Sequence, residues 1–160
     1  MKDLGILTTT VSGGFGVIIG YVYLYLNNYL KPLAKKFKPL EWKIWSLSAL
    51  MTIASFLALI IWFSAYQKLE DYKRDLFYSG LTVFLVGAIF WSLVVFYIMK
   101  FKKSKRYQLL PLTITTTGSI LILFSVFYST DNPLLILAAS IVVFHHLIFD
   151  NLYWPIIDSR

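Results

Sequence analysis

The sequence has no cysteine and little charge. Without cysteine, the chain can form neither disulfide bonds nor thiolate metal sites. Charged residues make up 14% of the 160 residues, whereas a typical soluble domain carries about a quarter. Hydrophobic residues make up 58%, which is more apolar surface than a soluble fold of this size can bury. The composition therefore predicts an integral membrane protein with a lipid-facing surface.

Motifs that carry catalysis are also missing. The sequence contains no glycine-rich phosphate loop, no paired nucleophile and base, and no pair of carboxylates inside an apolar run. No segment is typical of a channel selectivity filter, and the chain is too short for the inverted repeats of most secondary transporters. We predict that the protein is not an enzyme, and the sequence assigns it no cofactor and no metal.

Five apolar runs are long enough to cross a bilayer as helices, which takes about 20 residues. They do not alternate apolar and polar residues as the strands of a membrane barrel do. No small-residue cleavage pattern follows the first run, so we expect a retained helix rather than a signal peptide. The sequence thus predicts a single all-α domain over residues 1–160, a bundle of five transmembrane helices in an unidentified membrane. Their predicted ranges are 4–30, 44–66, 76–99, 107–128 and 133–157.

Basic residues are distributed unequally between the two ends of this bundle. The first loop holds five lysines between Lys31 and Lys43, the third holds five basic residues from Lys100 to Arg106, and Arg160 lies on the same side. The opposite side holds four basic residues. The positive-inside rule then predicts an outer N-terminus and a cytosolic C-terminus. The basic face is expected to bind anionic lipid headgroups rather than nucleic acid.

Small residues recur at every fourth position in the first helix, at Ser12, Gly16 and Gly20. This spacing lets another helix approach closely, and such packing drives helix association in lipid. The partner could be a helix of the same chain or a second copy in a homodimer.

The fifth run is the one predicted helix with an aspartate and histidines, in the group His145, His146, Asp150 and Asn151. A carboxylate inside a membrane is costly and is normally turned inward and paired. His146 and Asp150 are four residues apart and share a helix face, which Trp154 continues. A metal or haem site is disfavoured, because His145 and His146 diverge by about 100° on an α-helix. A proton relay or ligand-polarising group and a structural hydrogen-bonded network stay open.

Several segments resemble the TspO translocator-protein family of tryptophan-rich sensory proteins. The similar segments are Asn28 to Pro32 at the end of the first helix, Trp42 and Trp45 at the start of the second, Phe90 to Phe96 in the third, and Phe144 to Trp154 in the fifth. The paired prolines of the family before its second helix are missing, and His145, His146 and Asp150 stand where the family has small residues.

This resemblance implies a pocket between helices for a flat apolar molecule such as a porphyrin or a sterol. Trp45, Trp91, Asn151 and Trp154 would line it. From the aromatic content and the polar stripe of the fifth run, we predict a non-enzymatic protein that binds or transports a small hydrophobic ligand. His146 and Asp150 would form the polar end of its pocket, and His145 is included among the ligand-binding residues. The alternative is a structural or accessory subunit of a larger viral or organellar membrane assembly.

Overall fold

The computed structural model of the protein describes residues 2–29, 35–65, 70–102 and 105–153, which are mostly helical and include no strand. The helices are α1 (Lys2–Leu26), α2 (Pro39–Ala65), α3 (Asp71–Phe101), α4 (Leu109–Ser129) and α5 (Pro133–Phe144). A 3-10 turn (Lys105–Gln108) precedes α4, and α5 continues as a π-helical segment (His145–Tyr153). In these ranges, five helices are long and apolar enough to cross a membrane. The all-α prediction with five such helices is confirmed, and the direction of the termini stays a prediction.

Local sequence explains where two of the helices begin. The second helix starts at Pro39, earlier than the predicted residue 44, because proline suits the first helical turn and the Lys38 N–H donates to the Glu41 carboxylate at 2.9 Å. At the start of α5, the side chain of Asn132 accepts from the Leu134 N–H at 3.0 Å, directly before Pro133.

The closest helix pair is α3 with α4, and glycine makes its close approach possible. A Cβ atom added to Gly80 would lie 2.9 Å from the Ile122 nitrogen, and one added to Gly87 would lie 2.6 Å from the Thr115 nitrogen. From α4, Gly118 faces the Phe84 backbone in the same way. These glycines bring the two backbones into contact, which is how helices associate in lipid. We did not predict this seam from the sequence.

Helix α1 packs along α3 through its own small residues. A Cβ atom on Gly20 would lie 2.6 Å from the Ser92 hydroxyl oxygen, and one on Gly16 would lie 3.0 Å from Ile89 Cδ1. Ser12 lies outside this contact, where its exposed hydroxyl donates to the Thr8 carbonyl at 2.7 Å. Gly13 takes the expected place of Ser12, because a face through residues 16 and 20 is continued by residue 13 at helical spacing.

Among the described residues, buried side chains form two clusters inside the bundle. One is centred on Phe63 and Phe77, whose rings stack with centroids 3.8 Å apart. The other includes Leu24, Trp91 and Leu112, and lies at the end where α1 and α3 finish and where α2 and α4 start. We call this end of the bundle the basic end, because the first and third loops with their lysines connect helices there.

Candidate functional site

The polar side chains of the fifth span lie where α5 changes from α-helix to π-helix at His145. A π-helix is wider, with i to i+5 hydrogen bonds, and its short occurrences are frequent at functional sites. Here the wider turn brings residues four and five positions apart onto one side. Asp150 therefore faces both His146 and His145.

The Asp150 carboxylate lies between the two imidazoles. One of its oxygens is 3.7 Å from His145 Nε2, and the other is 3.9 Å from His146 Nε2. The predicted proximity of His146 and Asp150 is present. His145 also approaches this carboxylate, because a π-helical segment replaces the regular α-helix on which we expected the two histidines to diverge by about 100°. The rings stand at 88° to each other with centroids 5.3 Å apart, and both Nε2 atoms approach the same carboxylate.

Hydrogen bonds on the far side of each ring hold the imidazoles in place. His146 Nδ1 lies 2.7 Å from the Val142 carbonyl oxygen. A carbonyl only accepts, so this nitrogen carries the hydrogen. His145 Nδ1 lies 2.9 Å from the Ser48 hydroxyl of α2. Both imidazoles are buried, with 5% and 7% of the residue surface exposed.

Aromatic side chains form the walls around this polar group. The ring of Trp45 lies 6.0 Å from that of His145, and its indole interacts with the Asp150 carboxylate. On the opposite side, Phe84 meets the His146 ring edge to face at 4.9 Å. The site is therefore a small polar group enclosed by aromatic surface.

Trp91 lies at the same end of the bundle, where its ring contacts α1. It is buried, belongs to the cluster at the basic end, and stacks on Tyr21 of α1 with ring centroids 5.3 Å apart. Tyr21 in turn interacts electrostatically with Asp150. The predicted site residue Trp154 lies outside the described residues.

Asn151 points away from the two imidazoles and toward α4. Its amide donates to the Thr116 hydroxyl and to the Leu112 carbonyl, the latter at 3.3 Å. It also donates to the His146 carbonyl at 3.3 Å. These bonds tie the π-helical segment to α4, so Asn151 fixes the position of the site, although we predicted it as a ligand contact.

Sequence reasoning missed three residues of this site: Ser48, Phe84 and Tyr21. Each lies in an apolar run on a different helix, and nothing in one sequence pairs position 48 with position 145. Ser48 is a hydroxyl among apolar neighbours, which is the only signal it offers. Within the described ranges, no three His, Asp or Glu side chains are arranged to hold a metal ion.

The arrangement can bind the polar edge of a mostly apolar molecule. It offers a carboxylate acceptor, two imidazoles and an indole donor inside aromatic walls, which is the composition of many small-molecule sites. The chain matches no protein-family model, no curated protein and no solved structure. The likeness to the TspO family therefore rests on the sequence segments alone.

Proposed function

We propose that this chain is a multi-pass membrane protein that binds or transports a small hydrophobic ligand and carries out no chemical reaction on it. The observation that carries the proposal is the convergence of His145, His146 and Asp150 inside an aromatic enclosure. Polar groups are expensive in a membrane interior and usually mark a functional position. Here the cost is concentrated at one place.

The enclosure suits a flat molecule with one polar edge. Trp45 and Trp91 contribute aromatic surface from α2 and α3. Trp45 stacks on Trp42 and Trp91 stacks on Tyr21, so a flat ligand would use their other faces or displace these rings. Phe37 packs against Trp45, with ring centroids 6.2 Å apart, and adds aromatic surface on the side of the basic end.

A tetrapyrrole or a sterol-like molecule fits this description. The resemblance to the TspO family suggests the same class of ligand. We propose further that α1 begins on the outer side and that the basic end is cytosolic, because eleven basic residues lie on one side and four on the other. The ligand would then enter from the cytosolic leaflet.

Spectral titration of the purified protein with protoporphyrin IX tests this proposal. We expect saturable binding, and at least about tenfold weaker binding for Trp91→Phe and His146→Ala, the change that 1.4 kcal/mol produces. The matched control is Trp62→Phe, since Trp62 packs against the other buried cluster, away from Asp150. Equal binding by all four proteins, or no binding by the wild type, would contradict the proposal for this ligand class.

A second candidate function is that of a structural or accessory subunit of a larger membrane assembly. Helix α1 favours it, because it is the least buried of the five spans and exposes a row of large side chains. Val11, Phe15, Ile18 and Val22 are each about half exposed or more. Another protein could cover this row in place of lipid.

Purification in mild detergent from the native membrane separates the two candidates. Stoichiometric partner subunits that are lost with Phe15→Ser, but kept with the matched Phe127→Ser on α4, would favour the subunit role. Phe127 is a suitable control because it is also half exposed, at 52% against 64% for Phe15. A protein that purifies alone and binds porphyrin would favour the ligand site.

A further inference from the structure

An open groove lies on the outer surface of the bundle near the basic end, between the second half of α3 and the start of α4. Its volume is about 460 Å³, within the range of about 300–1,000 Å³ that small-molecule sites occupy. It is separate from the polar group around Asp150. None of its lining residues belongs to that site.

The floor of the groove is apolar and faces the hydrocarbon region. Phe90, Leu93 and Val94 line it from α3, and Leu110 lines it from α4. Leu93 and Leu110 are 60% and 59% exposed, so the protein leaves this surface uncovered. A lipid acyl chain is the apolar group that this surface meets in a bilayer.

The rim of the groove at the basic end is polar and cationic. Tyr97 and Tyr107 meet edge to face across it with centroids 6.4 Å apart, and Arg106 lines the same end. Tyrosine is enriched at headgroup level, and a guanidinium binds phosphate oxygens through two parallel hydrogen bonds. The groove therefore changes from an apolar floor to a tyrosine rim and then to an arginine. A phospholipid changes in the same order, from its acyl chain to its phosphate.

The sequence that leads to Arg106 is strongly basic. Five of the seven residues from Lys100 to Arg106 are basic and none is acidic. The described residues that line the groove include Arg106 and no carboxylate. The local charge therefore favours an anionic lipid over a zwitterionic one.

We propose that the groove is a binding site for an anionic phospholipid, with an acyl chain on Leu93 and Leu110 and the phosphate on Arg106. Basic pockets between transmembrane helices bind anionic headgroups in this way. The bound lipid joins α3 to the start of α4 at the membrane surface. This inference is independent of the ligand proposed for the Asp150 site.

Native mass spectrometry of the purified protein with equimolar phosphatidylglycerol and phosphatidylcholine tests the proposal. We expect phosphatidylglycerol adducts to dominate for the wild type, and Arg106→Gln to reduce that preference about fivefold, the contribution of one basic residue near a membrane surface. Leu93→Trp should fill the floor and reduce both adducts. Lys102→Gln is the matched control, because it removes one charge from the same loop but does not line the groove.

Three results would overturn the proposal. The first is a wild type without preference for phosphatidylglycerol. The second is an equal loss in Lys102→Gln and Arg106→Gln, which would indicate diffuse attraction to the whole loop. The third is dimers that decline in Leu93→Trp while lipid adducts persist, which would assign the groove to a second copy of the chain. Arg106 is exposed at a helix start, so its substitution keeps the test informative even if Leu93→Trp fails to fold.

Discussion

Individual hydrogen bonds show which polar side chains connect the helices. Asn151 is the clearest case, since its amide joins the π-helical segment to Thr116 and Leu112 of α4. The nearby Thr117 hydroxyl instead donates to the Thr113 carbonyl of its own helix at 2.9 Å and is exposed. Two adjacent threonines therefore differ in whether they connect helices.

This difference predicts the outcome of a double-mutant cycle. Asn151→Leu and Thr116→Val should each destabilise the protein, with a coupling energy of about 0.6 kcal/mol and at most about 1.7 kcal/mol, as for other hydrogen bonds between membrane helices. Unfolding in mixed detergent micelles measures it. The same cycle with Thr117→Val should give a coupling near zero, and a similar coupling for both threonines would contradict the assignment.

Glu70, just before α3, makes a pH-dependent contribution to the stability of the folded chain. Hydrogen bonds from Tyr72 and Lys73 lower the pKa of this exposed carboxyl below its ordinary value of 4.5. The ionised form is therefore favoured in the folded chain. The resulting stabilisation is present above pH 4.5 and is lost as the pH falls through the lower folded value.

The pKa of Glu70 should move back toward its ordinary value in Tyr72→Phe, since that hydroxyl is the largest cause of the shift. Carboxyl NMR titration of the protein in micelles measures this change. Tyr78→Phe is the control, because Tyr78 lies on the same helix and takes no part in the shift. An unchanged pKa in Tyr72→Phe would show that Lys73, with its nitrogen 3.2 Å from the carboxylate, is sufficient.

At the scale of helices, the α3–α4 seam depends on glycine. Gly118→Ala would place a methyl group against the Phe84 backbone, which cannot move as a flexible side chain does. We expect a loss of about 1–3 kcal/mol, the usual cost of overpacking. Gly14→Ala is the matched control, because no atom lies within 4 Å of its added Cβ. That change should leave stability the same or raise it by up to about 1 kcal/mol through helix propensity. Thermal unfolding in detergent compares the two, and equal losses would contradict the seam.

Helix positions were largely predictable from the sequence, while helix contacts were not. The spans follow from hydropathy, because lipid requires a long apolar run for each crossing. The π-helical segment was not predictable, since an apolar run has the same composition whether its turns are regular or widened. The position of His145 depends on that local geometry. The α3–α4 seam did leave a signal, because Gly80 and Gly87 are seven residues apart and share a helix face.

For the whole molecule, the proposed orientation in the membrane can be measured by labelling single introduced cysteines. The chain has no cysteine, so single cysteines at Asp131 and Lys102 report the two sides without further substitution. A membrane-impermeant maleimide added to intact cells should label Asp131→Cys, in the short link before α5, and leave Lys102→Cys unlabelled until the membrane is permeabilised. The reverse labelling pattern would contradict the proposed topology and would show that the basic end faces outward.

Only part of the candidate site could be predicted from the sequence. Its polar residues were found because each is exceptional inside an apolar run, whereas Ser48, Phe84 and Tyr21 are ordinary residues that matter only through assembly. Residues from α1, α2, α3 and the π-helical segment meet around Asp150. Because its residues come from four separate spans, the site forms only when these helices have assembled.

The glycine seam between α3 and α4 also bears on the biogenesis of the protein. These two spans leave the ribosome one after the other, and their contact needs no residue from α5. They can therefore associate as a helical hairpin during insertion, before the last span is synthesised. The fifth span would then dock onto a preformed surface through Asn151, so its costly polar residues enter the membrane with their partners already in place.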